Sequence, residues 1–178
     1  MDPLVTTTRL TLRPWSEDDA PAALAIYGSA DVARWLTPAL DRVADAEAMR
    51  SVLNTWGKQQ PELIPPQGRW AIERTEDGAV VGGLVIRLLP PDSEDLELSW
   101  QLNPAEWGKG YAVEAARGLA GWAFTQEIDE LFAVARPSNV RAIATATRLG
   151  MQWVGETAKY YGLTLQVYRI RPSDLLTD

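Results

Sequence analysis

The amino-acid sequence predicts an α+β fold, with helices flanking a mixed central sheet of about six to seven strands. Three observations support this prediction. Alternating apolar residues mark strands in "TTRLTLRPW" and "DLELSWQL", residues that cap helices precede periodic apolar segments, and "LFAVA" is a continuous apolar run typical of a central strand. The 178 residues contain no evident internal repeat and suffice for a substantial core, so one domain is predicted over residues 1–178.

The N-terminal part is predicted as a strand followed by helices. "TTRLTLRPW" alternates in the way a strand does, and Ser16 then provides an N-cap for the first helix. A second helical patch contains Val32, Trp35 and Leu36. Asp45 caps a further helix.

The middle of the chain is predicted as three strands and a helix. "RWAIERT" and "VVGGLVIRLL" flank "EDGA", a hairpin signal. In "DLELSWQL", the even-numbered residues 96–102 are apolar and point one way, while Asp95, Glu97, Ser99 and Gln101 point the other. The following helix runs from Gly110 to about Gln126, and its stripe of alanines lets it lie close to a sheet.

The C-terminal part adds the central strand "LFAVA", a helix and a hairpin. The helix spans residues 139–149 and ends at Gly150, with Val140, Ile143, Ala144 and Thr147 predicted to face inward. "MQWVGETAKYY" and "LTLQVYRI" form a hairpin around Gly162. The predicted order is therefore β-α-α-β-β-β-α-β-α-β-β.

The composition excludes several classes of site and partner. The chain has no cysteine and no histidine, which excludes disulfides, thiol nucleophiles, Ser-His-Asp triads and ordinary zinc sites. The net charge of −7 disfavours a nucleic-acid partner and mildly favours cationic ones such as amines. No apolar run reaches the ~18 residues of a membrane span, and no signal peptide is visible, so a cytoplasmic location is predicted.

The segment "NPAEWGKGYAVEAARG" begins a helix without a capping side chain. Bare backbone at Gly108 and Gly110 lets a large group approach the open N–H groups, where the helix dipole attracts an anion, typically a phosphate. A flexible turn between strand and helix explains the same residues about as well. The segment alone leaves both interpretations open.

Taken with the order of elements, three segments resemble the GNAT superfamily of acyl-CoA-dependent N-acetyltransferases, in particular its RimJ/RimL-like subgroup. They are "TTRLTLRPWSEDDA", "LELSWQLNPAEWGKGYAVEA" and "ARPSNVRAIATATRLGMQWVGE". With the order of elements, the resemblance covers nearly the whole chain. The resemblance implies acetyl-CoA as cosubstrate, no metal, and direct transfer of the acetyl group to an amine. Members of the family are often monomers or homodimers.

The resemblance also implies the residues that bind CoA. The turn that cradles the pyrophosphate in the family corresponds to Trp107, Gly108, Lys109, Gly110, Tyr111 and Ala112. Trp107 replaces the usual Gln or Arg, and Lys109 is a charge contact or a solvated lysine. The preceding strand pairs with pantetheine near Trp100 and Leu102, and Asn139 contacts the CoA arm, caps the next helix, or does both. Ala142 stands where many relatives have a serine.

Candidate catalytic residues are sought among carboxylates and tyrosines. Glu97, on the polar side of its strand, is the candidate base, the alternative being a solvated sheet face. Tyr160 and Tyr161 are candidate acids for the leaving thiolate, although both could simply pack, and at most one should face the cleft because strand residues alternate. Trp35, Trp56 and Trp70 either wall an acceptor pocket or fill the core.

These residues favour an N-acetyltransferase that acts on a peptide N-terminus or a small-molecule amine. A catalytically idle acyl-CoA-binding module on the same fold is the alternative, since Ala142 and the uncertain base leave it open. A nucleotide enzyme with a phosphate loop is disfavoured, because no Gly-x-x-x-x-Gly-Lys-Ser/Thr segment occurs. The acceptor itself cannot be named from the sequence.

Overall fold

The computed structural model describes residues 2–175, which form one eight-stranded sheet flanked by five α-helices. The strands are β1 (Val5–Thr6), β2 (Leu10–Pro14), β3 (Gly68–Arg74), β4 (Val80–Leu88), β5 (Leu96–Leu102), β6 (Leu131–Ala135), β7 (Gln152–Tyr160) and β8 (Leu163–Ile170). The helices are α1 (Ala20–Tyr27), α2 (Ala30–Leu36), α3 (Ala46–Gln59), α4 (Tyr111–Ala123) and α5 (Val140–Leu149). The sheet order is β1-β2-β3-β4-β5-β6-β8-β7.

The predicted α+β class is confirmed, and the predicted order of elements needs two additions. Among the described residues, a two-residue strand precedes the first predicted one, and three helices rather than two separate β2 from β3. Strand β1 is too short for periodicity to define it, since two residues show no alternation. Helix α2 corresponds to the helical patch predicted around Val32, Trp35 and Leu36, which the predicted order did not count as a separate helix. The prediction of one domain over residues 1–178 includes positions that lie outside the described residues.

Local capping explains where the helices begin and end. Ser16 and Asp19 form a capping box ahead of α1, with the Ser16 N–H donating to the Asp19 carboxylate at 2.8 Å. The Asp45 carboxylate accepts from the N–H of Ala48 at 2.8 Å and starts α3. Gly150 ends α5 with a φ of 103°, a left-handed conformation that suits glycine.

The sheet separates two apolar clusters. One lies against α4 and α5, where the small residues of α4 allow close packing against β2 and β5. The other lies under α1 and α3, where Trp15, Tyr27 and Trp56 contact one another edge to face or tilted. The prediction for α5 was partly wrong. Val140 is 74% exposed because the N-terminal turn of α5 borders a cavity rather than the core. Thr147 is also exposed, and the buried face of the helix instead carries Thr145, Ala146 and Leu149.

Candidate active site between two diverging strands

A cavity of about 620 Å³, here called the larger cavity, opens between β5 and β6. Over residues 2–175, these two parallel strands are in register at a single pair, Glu97 with Phe132. Beyond that pair both strands line the cavity, β5 through residues 98–102 and β6 through residues 133–135. The strands therefore diverge towards their carboxyl ends, and α4 and α5 supply the remaining walls.

Strand β5 turns part of its main chain towards this opening. In an antiparallel pair, successive residues direct their N–H and C=O groups alternately towards and away from the partner strand. The N–H of Asn103 donates to the carbonyl of Val81 at 2.9 Å. The main-chain groups of the odd-numbered residues of β5 therefore point towards β4. The main-chain groups of Leu98, Trp100 and Leu102 therefore face the cavity. The alternation visible in the sequence could also have identified Leu98, in addition to Trp100 and Leu102, which were predicted to pair with pantetheine.

The turn before α4 reaches the same cavity. Gly108 and Gly110 have φ values of 82° and 81°, which L-residues with side chains rarely adopt, and no side chain caps α4. A Cβ added to Gly108 would meet no atom within 4 Å, so the space in front of the turn is open. Trp107, Tyr111 and Ala112 line the cavity beside these glycines. Open N–H groups and the positive end of the helix dipole suit this end of the cavity to an anion.

Lys109 lies apart from the other residues of the turn. Its ammonium group pairs with the Glu106 carboxylate at 2.7 Å, and it is not among the residues that line the cavity. The hydrogen bond from Lys109 lowers the pKa of Glu106, which is also bonded to Arg74. The positive charge of Lys109 is therefore balanced locally.

Arg9, which was not predicted, holds the turn in place from the other side. Its guanidinium donates to the carbonyl of Lys109 at 2.9 Å and to the Glu114 carboxylate at 2.8 Å, and it lies 4.6 Å from the centroid of the Tyr111 ring. These contacts link β2, the turn and the first turns of α4. Nothing in the spacing of the sequence indicates a contact across about a hundred residues.

Trp107 and Arg141 form a stacked pair at the cavity wall. The Trp107 indole N–H donates to the carbonyl of Leu102 at 3.2 Å, and the Arg141 guanidinium lies 3.8 Å from the ring centroid. An indole is neutral and cannot supply the positive charge that an Arg at this position would bring. Arg141 brings a cation there from α5, an arrangement the sequence analysis missed because the two residues lie on different elements.

Asn139 is placed at the N-terminus of α5, where it lines the cavity. Its side-chain oxygen accepts from the N–H of Ala142 at 3.3 Å, so the predicted capping role is present. The amide nitrogen of Asn139 remains as a donor at the cavity wall. Ala142 also lines the cavity and offers no hydroxyl there.

A smaller cavity of about 60 Å³ adjoins the larger one and shares several lining residues with it, among them Trp35, Glu97 and Ser99. Glu97 is only 5% exposed, so the alternative of a solvated sheet face is wrong. Its carboxylate accepts from the Tyr161 hydroxyl at 2.5 Å and from the Arg87 guanidinium at 3.1 Å. Burial, and then the charge of Glu97, raise the pKa of Tyr161, which therefore stays protonated through the neutral range.

The two candidate tyrosines face different surroundings. Tyr161 and Gly162, with φ values of 57° and 67°, form a two-residue turn between the paired residues Tyr160 and Leu163. Tyr161 lines the smaller cavity. Tyr160 is buried in an apolar cluster with Leu165, its hydroxyl 3.3 Å from the Asp95 carboxylate, and it lines neither cavity. Only one of the two therefore lines a cavity, as predicted, but the reason given was wrong: β7 ends at Tyr160, and the turn rather than strand alternation separates the pair.

A buried polar chain supports β5 from the side of α1. The Tyr27 hydroxyl donates to Gln101 at 3.0 Å, and Gln101 donates to the Ser99 hydroxyl at 2.7 Å. Gly83 makes the room, because a Cβ at that position would lie 2.2 Å from the Tyr27 hydroxyl. Burial raises the pKa of Tyr27. This chain was not predicted, although Gln101 was assigned to the polar face of its strand.

The three tryptophans considered for an acceptor pocket divide between the two predicted roles. Trp35 lines both cavities, with the Arg34 guanidinium 4.4 Å from its ring centroid. Trp56 and Trp70 are buried in the two main apolar clusters. Trp35 differs from the other two because it lies on α2, which borders both cavities.

The family model for an acetyltransferase (GNAT) domain matches residues 9–152, most of the chain. This chain belongs to the GNAT acetyltransferase family. The diverging strands and the uncapped turn before α4 both lie within the matched region. The resemblance from which the fold and family were predicted is therefore confirmed.

Known relatives and solved structures agree with this assignment. The chain is 25% identical over 162 residues to the uncharacterized N-acetyltransferase YoaA of Bacillus subtilis, covering 90% of this chain and 89% of YoaA. It is similar to the structure of an acetyltransferase from Agrobacterium tumefaciens, with 27% identity, a TM-score of 0.75, and coverage of 96% and 95% of the two chains. RimL, a ribosomal L7/L12 alpha-N-protein acetyltransferase solved with coenzyme A, shares the fold with 17% identity, a TM-score of 0.77, and coverage of 96% and 98%.

Within residues 2–175, His, Cys, Asp and Glu side chains form no group of three or more that could hold a metal ion. None of the helices described there combines the length and the apolar character needed to cross a membrane.

Proposed function

We propose that this GNAT protein transfers the acetyl group of acetyl-CoA to a primary amine by direct attack. The observation that carries the proposal is the convergence of two features in one cavity. The uncapped N-terminus of α4 offers N–H groups to an anion, and the divergent strands β5 and β6 offer main-chain groups to an extended chain. A diphosphate joined to a pantetheine arm has both of these chemistries.

The residues that would hold acetyl-CoA follow from this geometry. The main-chain N–H groups of residues 108–112 would take the diphosphate, with the Arg141 guanidinium beside them. The main-chain groups of Leu98, Trp100 and Leu102 would pair with the pantetheine arm, and one N–H in this group would polarise the thioester carbonyl. The Leu102 carbonyl already accepts from Trp107, so at that residue only the N–H is left to bond the arm. The N–H groups of Leu98 and Trp100 lie nearer Glu97 along β5 and are the better placed for the thioester carbonyl.

The Glu97–Tyr161 pair supplies a path for the proton. The amine forms its bond to the carbonyl carbon as the carbon–sulfur bond breaks, and Glu97 takes the proton that the nitrogen releases. Tyr161, already bonded to Glu97, gives its hydroxyl proton to the departing thiolate and receives the proton held on Glu97. Because protonation of Glu97 removes one of the causes that raise the pKa of Tyr161, the first transfer makes the second easier.

The acceptor class is a primary amine, either at a peptide N-terminus or on a small molecule. An α-amine has a pKa near 8 and a lysine amine one near 10.4, so the α-amine needs less help from a single buried carboxylate. RimL, which shares the fold, is described as an alpha-N-protein acetyltransferase. The proposed enzyme is cytoplasmic and acts as a monomer or homodimer. It uses no metal and binds no nucleic acid.

Two measurements test the proposal. Calorimetry with acetyl-CoA should detect binding, and thiol release on a panel of peptides and small amines should detect turnover. Binding without turnover on any amine would favour the idle acyl-CoA-binding module instead. The absence of both would overturn the proposal.

A further inference from the structure

The smaller cavity carries more arginine than acid. Among the described residues that line it, the charged ones are Arg87, Glu97 and Arg136. Arg87 is the partner of Glu97. Arg136 donates to the Thr37 carbonyl at 2.6 Å, and over residues 2–175 its guanidinium has no carboxylate within ion-pair distance. One carboxylate therefore stands against two guanidinium groups.

A third arginine lies close to this cavity. Arg69 projects from the same sheet face as Arg87 and lies 4.7 Å from the Trp56 ring centroid, and no described acid forms an ion pair with it. Burial, and then the charge of Arg87, lower its pKa. Tyr161, which lines the smaller cavity, is close enough to affect the same pKa. The cavity wall thus holds two cations and one anion, and Arg69 adds a further positive charge on the same sheet face as Arg87, although the whole chain has a net charge of −7.

This charge balance selects among amines. An acceptor whose only charge is an ammonium group would enter a region of excess positive charge that is partly shielded from water, which is costly. A carboxylate on the acceptor would instead complete the missing ion pair, and a guanidinium can bind it through two parallel hydrogen bonds. We propose that the acceptor amine carries a nearby carboxylate, which binds at Arg136 in the smaller cavity while the amine faces Glu97.

The size of the smaller cavity limits the distance between the two groups. A volume of about 60 Å³ has room for roughly four water-sized groups, since one water needs about 10–15 Å³ by the same measure. Asn139 and Ser99 line both cavities and so mark the junction where the acetyl group would be delivered. The carboxylate must therefore lie within a few bonds of the amine, as in an amino acid or in an acidic residue at a peptide N-terminus.

The inference rests on the proposed transferase activity and deepens it. The test compares acceptors that differ only in charge: β-alanine against β-alaninamide, and peptides beginning Asp-Ala against Asn-Ala. We expect kcat/KM for the carboxylate member to exceed that of its amide partner by at least about tenfold, the usual strength of a charge-assisted hydrogen bond. Comparing the β-alanine pair with the peptide pair shows whether the carboxylate comes from a free amino acid or from a residue at a peptide N-terminus. Equal rates, or a preference for the amides, would overturn the inference.

Variants of Arg136 separate binding of the carboxylate from support of the Thr37 loop. Arg136→Gln should reduce the preference for carboxylates to below about threefold, whereas Arg136→Lys keeps the charge and should retain most of it. A merely structural role would slow both acceptors of each pair equally in both variants. Arg50→Gln removes one positive charge in the same way, but from an exposed position on α3. It should leave the preference for carboxylates as it is in the parent.

Failure of the transferase proposal has a different signature. If no amine releases thiol from acetyl-CoA, calorimetry of the same acceptor pairs with the acetyl-CoA-loaded protein decides the matter. Carboxylates that bind about tenfold tighter than their amides would support the acceptor site without the activity. Equal binding would overturn the acceptor site as well.

Discussion

Replacing Glu97 by glutamine tests the proposed proton path most directly. Glutamine keeps the size of the side chain and can still accept one hydrogen bond, but it cannot take the proton from the amine. If Glu97 is the base, turnover at pH 7 should fall by ~10²-fold or more, the usual contribution of general-base catalysis. Calorimetric affinity for acetyl-CoA should stay the same, because the groups proposed to bind it are main-chain groups and side chains away from Glu97.

The structure also sets the cost in stability. Glu97 is 5% exposed and holds both Arg87 and Tyr161, so the variant leaves Arg87 facing a neutral amide. Removing one partner of a fully buried ion pair costs about 3–5 kcal/mol. Arg87 is partly solvated and glutamine still accepts one bond, so we expect about 1–3 kcal/mol. For a chain of this size that lowers Tm by roughly 2–12 °C, and the assay should be run well below it.

The pH dependence distinguishes a base from a positioning group. The deficit of Glu97→Gln should shrink as pH rises, because more of the amine then arrives already deprotonated. The same deficit at every pH would indicate positioning, and full activity at pH 7 would refute the proposed role. Asp95→Asn is the matched control: it removes a carboxylate two residues away that contacts Tyr160 and lines neither cavity, and its turnover should match that of the parent.

Three more predictions concern the cofactor site and the buried tyrosines. Gly110→Asp should weaken acetyl-CoA binding at least about tenfold in calorimetry, by charge and by strain at a φ of 81°; Gly78→Asp, at a φ of 73° in the β3–β4 turn, should not. Asn139→Asp should weaken acetyl-CoA binding at nearly constant Tm, because aspartate caps as well as asparagine; unchanged affinity would leave capping as its role. Tyr27 and Tyr161 have raised pKa values in the folded state, so above about pH 10 the unfolded chain loses protons that the native state keeps, and stability falls as pH rises. In absorbance titrations at the phenolate band, these two tyrosines should ionise only as the chain unfolds, and an early, reversible titration of all five would contradict this.

Much of the fold could be predicted because its signals are local. Ser16, Asp45 and Gly150 mark helix ends through contacts within a few residues, and the alternation of β5 needs only a period of two. The uncapped turn at Gly110 is equally local, and it was predicted together with its anion chemistry. Strand β1 was missed because two residues are too few to show a period, whereas the residues of α2 were recognised as a helical patch but not counted in the predicted order.

The sequence by itself determined the α+β class, the resemblance to the GNAT family, and the residues of the turn before α4, since caps, periods and motifs act over neighbouring residues. Only the tertiary structure decided which groups meet across the sheet. The sequence left Glu97 as either a candidate base or part of a solvated sheet face, and the structure buries it against Arg87 and Tyr161. Arg141 stacks on Trp107 from a different helix. These contacts depend on the order and divergence of strands, and pairing between distant segments leaves no periodic trace in the chain.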